Sequence, residues 1–367
     1  MSQYILIFIW LALLLLMGQA FDVYQIDDSL GHKELRVRVG FALISIMPLA
    51  WWACKRPASF IDTDAYVKFF HSLPNTLNGI GAYLETVNKD KGFSVLSIMI
   101  KMLVGDNATL YLLVLALIQL VILALVFRKY SINYLMSLFL FVASTDYLSW
   151  VHNSIRQFTA VVLIFAATEL MLKKKYVSLI LVILIAATIH GSAILMIPIV
   201  FAVQGKPWNK KTMVAVILVA VAILYVGKFT NLLDILLSDT QYTNVVSDWQ
   251  SGGDDGTNPL RVLVYSIPTI LSVLGVRYIK AENNPVINMA CNMGIFSTIL
   301  YCLSMATSGI FIGRLPIYCS LYSMGILLPW ELDNMFTKES ASMLKICTVG
   351  GYLIFYFFQT HFVWGII

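Results

Sequence analysis

The stretch Asp146–Gln157, Asp-Tyr-Leu-Ser-Trp-Val-His-Asn-Ser-Ile-Arg-Gln, sets an arginine and a histidine between two apolar runs, Tyr134–Ala143 and Phe158–Leu172. A second polar interruption, Ile189-His190-Gly191-Ser192, lies in the next apolar region. Ionisable side chains are costly in hydrocarbon, so those bordering a membrane-spanning core are usually paired or line a wet cavity. The pattern predicts that Arg156 and His190 line one wet pocket at a membrane face, suited to an anionic, lipid-attached substrate.

Each residue has a plainer reading beside this one. Arg156 carries a permanent charge on a planar fork of donors that matches phosphate, and a helix N-terminus there adds to the attraction for an anion. The same arginine also fits a side chain snorkelling to headgroups or paired with Asp146. Its neighbours His152, Asn153 and Gln157 add donors at helical spacing. His190 can move a proton near neutral pH, or satisfy a carbonyl where the helix bends. Arg314 follows Gly313 and precedes Tyr318 by four residues, repeating the pattern of an arginine at a span start. Two arginines on one face suit a pyrophosphate better than one. Asp62 and Asp64 bracket Thr63 and precede Tyr66 and Phe69-Phe70. Such a carboxylate can orient or deprotonate a sugar hydroxyl, or simply cap a helix. No metal site is expected, because these carboxylates lack a partner cluster, and no cofactor motif (Walker loop, GxSxG, HExxH) occurs. The five cysteines form no CxxC pair and read as small buried residues.

The elements that must position these groups are membrane helices. The chain has 367 residues, 59% of them hydrophobic and 12% charged, and a mean hydropathy of +0.81. A soluble domain carries about twice that charge. Repeated apolar runs predict an all-α polytopic membrane protein of about 12 segments, within roughly 10–13, with re-entrant or short helices between them. An outer-membrane barrel would alternate polar and apolar residues, and these runs do not. The whole chain reads as one integral membrane domain. The first run, Tyr4–Met17, lacks a basic flank and a small-residue cleavage site, so it reads as a retained span.

Spans are expected near Tyr4–Ala20, Val39–Cys54, Ala108–Phe127, Asn133–Ala143, Gln157–Leu172, Thr212–Gly227, Leu260–Val276, Val286–Ser304, Ile317–Trp330 and Met343–Trp364. The region Tyr176–Val203 has basic clusters at both ends and reads as a hairpin bent near His190. Residues 55–107 form a polar outer loop with a re-entrant or interfacial helix at Phe93–Val104, and Lys101 within it favours the surface. Residues 228–259 form a second outer loop, rich in Gly and Asp. Placing Arg128-Lys129, Lys173–Lys175, Lys206–Lys211 and Arg277/Lys280 in the cytoplasm puts Asp146–Arg156, His190 and Arg314 on the outer face. Lys55 and Arg56 fall on the opposite side from that rule. The +5 net charge is spread through these clusters and does not point to nucleic acid.

Taken in order, Arg56…Asp62-Thr63…Tyr66…Phe69, Lys91-Gly92-Phe93, Asn153-Ser154-Ile155-Arg156-Gln157, Ile189-His190-Gly191-Ser192-Ala193 and Arg314 with Tyr318 resemble the EpsG-like branch of the Wzy-type polysaccharide polymerases. The resemblance spans most of the chain. It departs at Lys91, where the family often has an acidic residue one or two positions before the glycine, a place Asp90 can fill. A glycine common before the aspartate is absent near Asp62. The resemblance implies a GT-C-like, metal-independent enzyme of the bacterial inner membrane with its active site facing the periplasm. Such enzymes make O-antigen, capsule or exopolysaccharide by moving a growing chain from its undecaprenyl pyrophosphate onto a sugar hydroxyl of a new lipid-linked unit. Donor and acceptor are then both lipid-linked oligosaccharides, and a chain-length regulator protein is an implied partner. Arg156 and Arg314 would hold the pyrophosphate. His190 or Asp62 would act as base or acceptor orienter. Arg56, Asp64, Tyr66, His152, Asn153, Gln157 and Tyr318 would contact substrate, with Trp150, Tyr242 and Trp249 as stacking candidates. The rival readings are a flippase of the same lipid-linked units and a transferase of one sugar or an acyl group.

Overall fold

The computed structural model describes residues 2–18, 22–26, 33–225 and 256–366. The chain groups into two compact units, Met1–Leu195 with Ser342–Ile367, and Met196–Ala341.

The first unit opens with α1 (Ser2–Gly18) and a short hairpin in which β1 (Asp22–Ile26) pairs antiparallel with β2 (Lys33–Val37). This hairpin lies between the first two expected spans, Tyr4–Ala20 and Val39–Cys54. Val23, Tyr24, Ile26 and Val37 favour an extended backbone, a signal too short to register among spans. Arg128 Nε donates to the Val37 carbonyl at 2.7 Å and pins the end of the hairpin. Then follow α2 (Val39–Cys54), α3 (Thr63–Ser72), α4 (Asn78–Thr86), α5 (Lys91–Val104), α6 (Ala108–Tyr130) and α7 (Tyr134–Ala143). A widened π turn covers Tyr147–Asn153, and α8 (Ile155–Ala166), α9 (Thr168–Leu172) and α10 (Tyr176–Ile189) complete the run. Helices α2, α6, α8, α10 and α5 pack in sequence, each against the next.

The second unit holds α11 (Met196–Ala202), α12 (Lys210–Leu224), α13 (Pro259–Leu274), α14 (Val276–Glu282), α15 (Pro285–Met305), α16 (Ile317–Tyr322) and α17 (Leu328–Asn334). Helix α15 is its centre and touches α12, α13 and α16. The last helix, α18 (Lys338–Phe358), starts in this unit and ends in the first.

Five helix starts share one device. The Oδ1 atoms of Asn107, Asn133, Asn209, Asn258 and Asn284 accept backbone N–H groups from the first turns of α6, α7, α12, α13 and α15. Each satisfies a donor that the helix cannot. Pro259 and Pro285 follow two of these caps, where a missing N–H costs nothing.

Among the described residues, three helices are long and apolar enough to cross a membrane: Ala108–Tyr130, Pro285–Met305 and Lys338–Val363. Two bent pairs, Tyr134–Ala143 with Tyr147–Asn153 and Pro259–Leu274 with Val276–Glu282, raise this to as many as five. Other apolar runs are helices of 10–17 residues. Leu103, Val177 and Leu224 are 85%, 78% and 78% exposed, as suits a chain whose solvent is hydrocarbon. The architecture is that of a helical, polytopic membrane protein.

The stretch Asp146–Gln157 is helical rather than a loop. Thr145 adopts a left-handed backbone, φ 73°, rare for a β-branched residue. The chain turns there by 73° between α7 and the π turn. The break expected in Tyr176–Val203 falls at His190, which ends α10 in an extended conformation. Lys101 differs from expectation. It is buried, and its ammonium donates to the Phe70, His71 and Leu73 carbonyls at 3.0, 3.0 and 2.8 Å. It closes the C-terminus of α3, whose last carbonyls need donors and favour a cation. Most of the outer loop at 228–259, including Tyr242 and Trp249, lies outside the described residues.

Candidate active site

The site grows from the turn between α2 and α3. Arg56 is buried, with Nε donating to Thr63 Oγ1 at 2.8 Å and Nη1 to the Ala53 carbonyl at 2.6 Å. It ties the end of one helix to the first turn of the next. Its Nη2 has no hydrogen-bond partner. Burial pushes this guanidinium down to about 10, which leaves it charged at neutral pH. Five residues on, Ile61 takes a left-handed backbone, φ 46°, a strained choice for a β-branched residue. Asp62 follows at the cap position of α3, yet its side chain makes no capping hydrogen bond. Instead it lines a cleft of about 270 Å³ with Ala65, Tyr66, Phe69 and Arg156.

Arg156 enters the cleft from the first turn of α8. Its Cζ lies 5.8 Å from the centre of the Tyr66 ring. Its Nη1 donates to Asp90 Oδ2 at 3.1 Å. The arginine therefore pairs with Asp90 and not with Asp146, which accepts from Trp150 Nε1 at 2.9 Å within its own turn. Asp90 has a left-handed backbone, φ 51°, just before α5. Its carboxylate also accepts the Gly191 backbone N–H. Burial pushes the Asp90 carboxyl up, against the pull of Arg156 and of that N–H.

One aspartate thus joins the start of α5, the start of α8 and the His190-Gly191-Ser192 turn. Gly92 makes the junction possible. A Cβ at Gly92 would lie 2.1 Å from Thr188 Oγ1 and 2.8 Å from the Thr188 carbonyl carbon. Only glycine lets the backbones approach this closely. The turn is braced internally by the 2.7 Å contact between His190 Nδ1 and Ser192 Oγ. Gln157 Nε2 reaches Ser192 Oγ at 3.5 Å, the outer limit of a hydrogen bond.

The other candidates are placed as follows. Asp64 points to the surface and pairs with Lys68 at 2.6 Å. His152 is buried against Phe60 and Tyr147, with ring centres 5.5 and 4.6 Å away. It does not line the cleft. Trp150 is buried as well. Asn153 Oδ1 is buried without a hydrogen-bond partner. Arg314 and Tyr318 belong to the second unit, the arginine exposed at the end of the short turn Ile312–Arg314 and the tyrosine buried. Asp62, Tyr66 and Arg156 therefore share the cleft, while His190 reaches Arg156 through Gly191 and Asp90. Sequence reading gave Asp90 no role of its own. The signal was an acidic residue two positions before a glycine that opens a helix.

A family model described as the EpsG family matches residues 39–364, which includes every residue of this site. No curated protein and no solved structure matches the chain.

Proposed function

The chain belongs to the EpsG family, which suggests a polymerase-like role in polysaccharide biosynthesis, and we propose a specific reaction for it. The protein joins undecaprenyl-pyrophosphate-linked oligosaccharide units at the periplasmic face of a bacterial inner membrane. A hydroxyl of the incoming unit attacks the anomeric carbon of the growing chain. The new glycosidic C–O bond forms as the bond to pyrophosphate breaks. The pyrophosphate leaves with the electron pair, and the hydroxyl proton passes to a base.

The observation that carries this reading is the cleft holding an uncapped Asp62 together with Arg156. A leaving pyrophosphate needs positive charge fixed in place before charge develops. Arg156 is fixed by Asp90 at 3.1 Å and supplies that charge without a metal ion. A second permanent cation, Arg56, is tied to the first residue of α3, Thr63, at 2.8 Å. Asp62 takes the acceptor proton, a role suited to a carboxylate not spent on capping. His190 orients the acceptor turn through Ser192. Tyr66 and Phe69 supply an aromatic wall for a sugar ring.

The test is complementation of a deletion strain, read by gel electrophoresis of the surface polysaccharide. Arg156→Ala is expected to leave single-unit glycan with no ladder. A normal ladder from a stably expressed Arg156→Ala variant would overturn the assignment. Arg314→Ala, measured in parallel, asks whether that arginine also holds pyrophosphate. Loss of all surface glycan in the deletion strain, with no single-unit-capped lipid, would favour a flippase.

A further inference from the structure

The second unit carries a basic cleft of about 470 Å³ that the proposed reaction does not use. It is lined by Gln204–Lys211 and by Lys280. Four lysines border it: Lys206, Lys210, Lys211 and Lys280. Among the described residues none of them is paired with a carboxylate. Among the described residues, Lys211 alone of the four has its ammonium engaged, donating to the Phe201 carbonyl at 3.0 Å.

Lysines flanking a span are ordinarily solvated topology signals. These differ because the loop that carries them is held rigid. Asn292, fully buried on α15, donates to the Val203 and Lys206 carbonyls at 3.0 Å each. Its Oδ1 accepts the Trp208 backbone N–H at 3.0 Å. The Trp208 indole N–H donates to Ser272 Oγ at 3.2 Å. Trp208 is held in a left-handed backbone, φ 55°, an outlier for a bulky side chain. Strain of this kind persists where the surroundings over-determine it, as they do at ligand clamps. The cleft therefore sets a fixed indole and a proline among four lysines.

We propose that this cleft binds the phosphate headgroup of an acidic phospholipid. Phosphate answers the unpaired ammonium groups. Trp208 and Pro207 accept the apolar glycerol backbone, as aromatic rings do at a membrane interface. A free phosphate would use the lysines and leave these two rings without a partner.

The test uses the full-length protein in nanodiscs, with bound lipid read by native mass spectrometry after release. Phosphatidylglycerol is expected to be retained at least tenfold over phosphatidylcholine, and the double variant K206Q/K280Q to lose that preference. The paired K206R/K280R variant keeps the charge and is expected to keep the preference. It also separates lost binding from misfolding. Equal retention of both lipids by the wild type, or an unchanged preference in K206Q/K280Q, would overturn the proposal. Displacement of phosphatidylglycerol by millimolar inorganic phosphate would also overturn it, by assigning the cleft to a soluble anion.

Discussion

Arg156 Nη1 donates to Asp90 Oδ2 at 3.1 Å, joining residues 66 positions apart. The pair is lopsided. The Asp90 side chain is 8% exposed and that of Arg156 47%. Desolvation falls on the carboxylate, while the guanidinium keeps a face toward the cleft. The aspartate is thus a fixed post from which the arginine reaches into the cleft.

This asymmetry gives a pH prediction. Burial raises the Asp90 carboxyl, so the folded protein takes up a proton more readily than the unfolded chain. The stability from this group is full below the unfolded carboxyl value of about 3.9 and is lost as pH rises through the folded value. Arg156 is one of the groups pulling that value down. In Arg156→Ala the carboxyl rises further. The variant's Tm is expected to climb more steeply than the wild type's as pH falls from neutral toward the unfolded carboxyl value of about 3.9. Parallel Tm profiles would mean that Asp90 does not feel Arg156.

Asp62 and Asp64 are two residues apart and predicted to behave oppositely. Asp62 lines the cleft, and Asp64 pairs with Lys68 on the surface. Asp62→Asn is expected to abolish chain elongation while the protein folds and inserts normally. Asp64→Asn is expected to elongate normally and to cost less than about 1 kcal/mol, as exposed pairs do. The gel ladder of each complemented strain decides between them.

Gly92→Ala places a methyl group 2.8 Å from a backbone carbon of Thr188, and backbone yields less than a side chain. Overpacking of this kind costs about 1–3 kcal/mol. Thr188→Ala in the same chain removes the 2.1 Å contact with Oγ1 but not the one with the main chain. Thermal unfolding in detergent is expected to show a lower Tm for Gly92→Ala and only partial recovery in the double variant.

Lys101→Met tests the closure of α3. The substitution keeps most of the side-chain volume and removes the donor to three carbonyls. Hydrogen bonds to a charged group contribute about 1.5–3 kcal/mol each at most, and orphaned carbonyls add to the loss. The expected cost is about 2–4 kcal/mol in total, read as a lower denaturant midpoint. Lys68→Met, whose lysine is exposed, serves as the control.

The candidate residues are conspicuous in sequence because hydrocarbon disfavours them. Arg156 and His190 stand out against apolar runs, and the helix break does fall at His190. The partner of Arg156 was not legible, since Asp146 is ten residues away in sequence and Asp90 is brought in only by tertiary packing. Lys101 misled for a related reason. A lysine on an amphipathic helix reads as surface unless one knows that another helix ends against its ammonium group. Asp146–Gln157 is polar and interrupts two apolar runs, yet most of it is helical. Its helical conformation depends on burial of Tyr147, Leu148, Trp150 and Val151, which tertiary context supplies. The asparagine caps carried a sequence signal all along, an Asn just ahead of each apolar run.

The contact at Gly92 also limits how the first unit can move. Two rods whose main chains meet at a point, with no side chain between them as a cushion, cannot slip lengthwise past each other without collision. They can still swivel about that point. Widening of the cleft beside Arg156 must then come from α5 tilting on α10 like a lever on a pivot, and the Phe93 ring of α5, stacked 5.8 Å from Phe69 of α3, would ride on its arm.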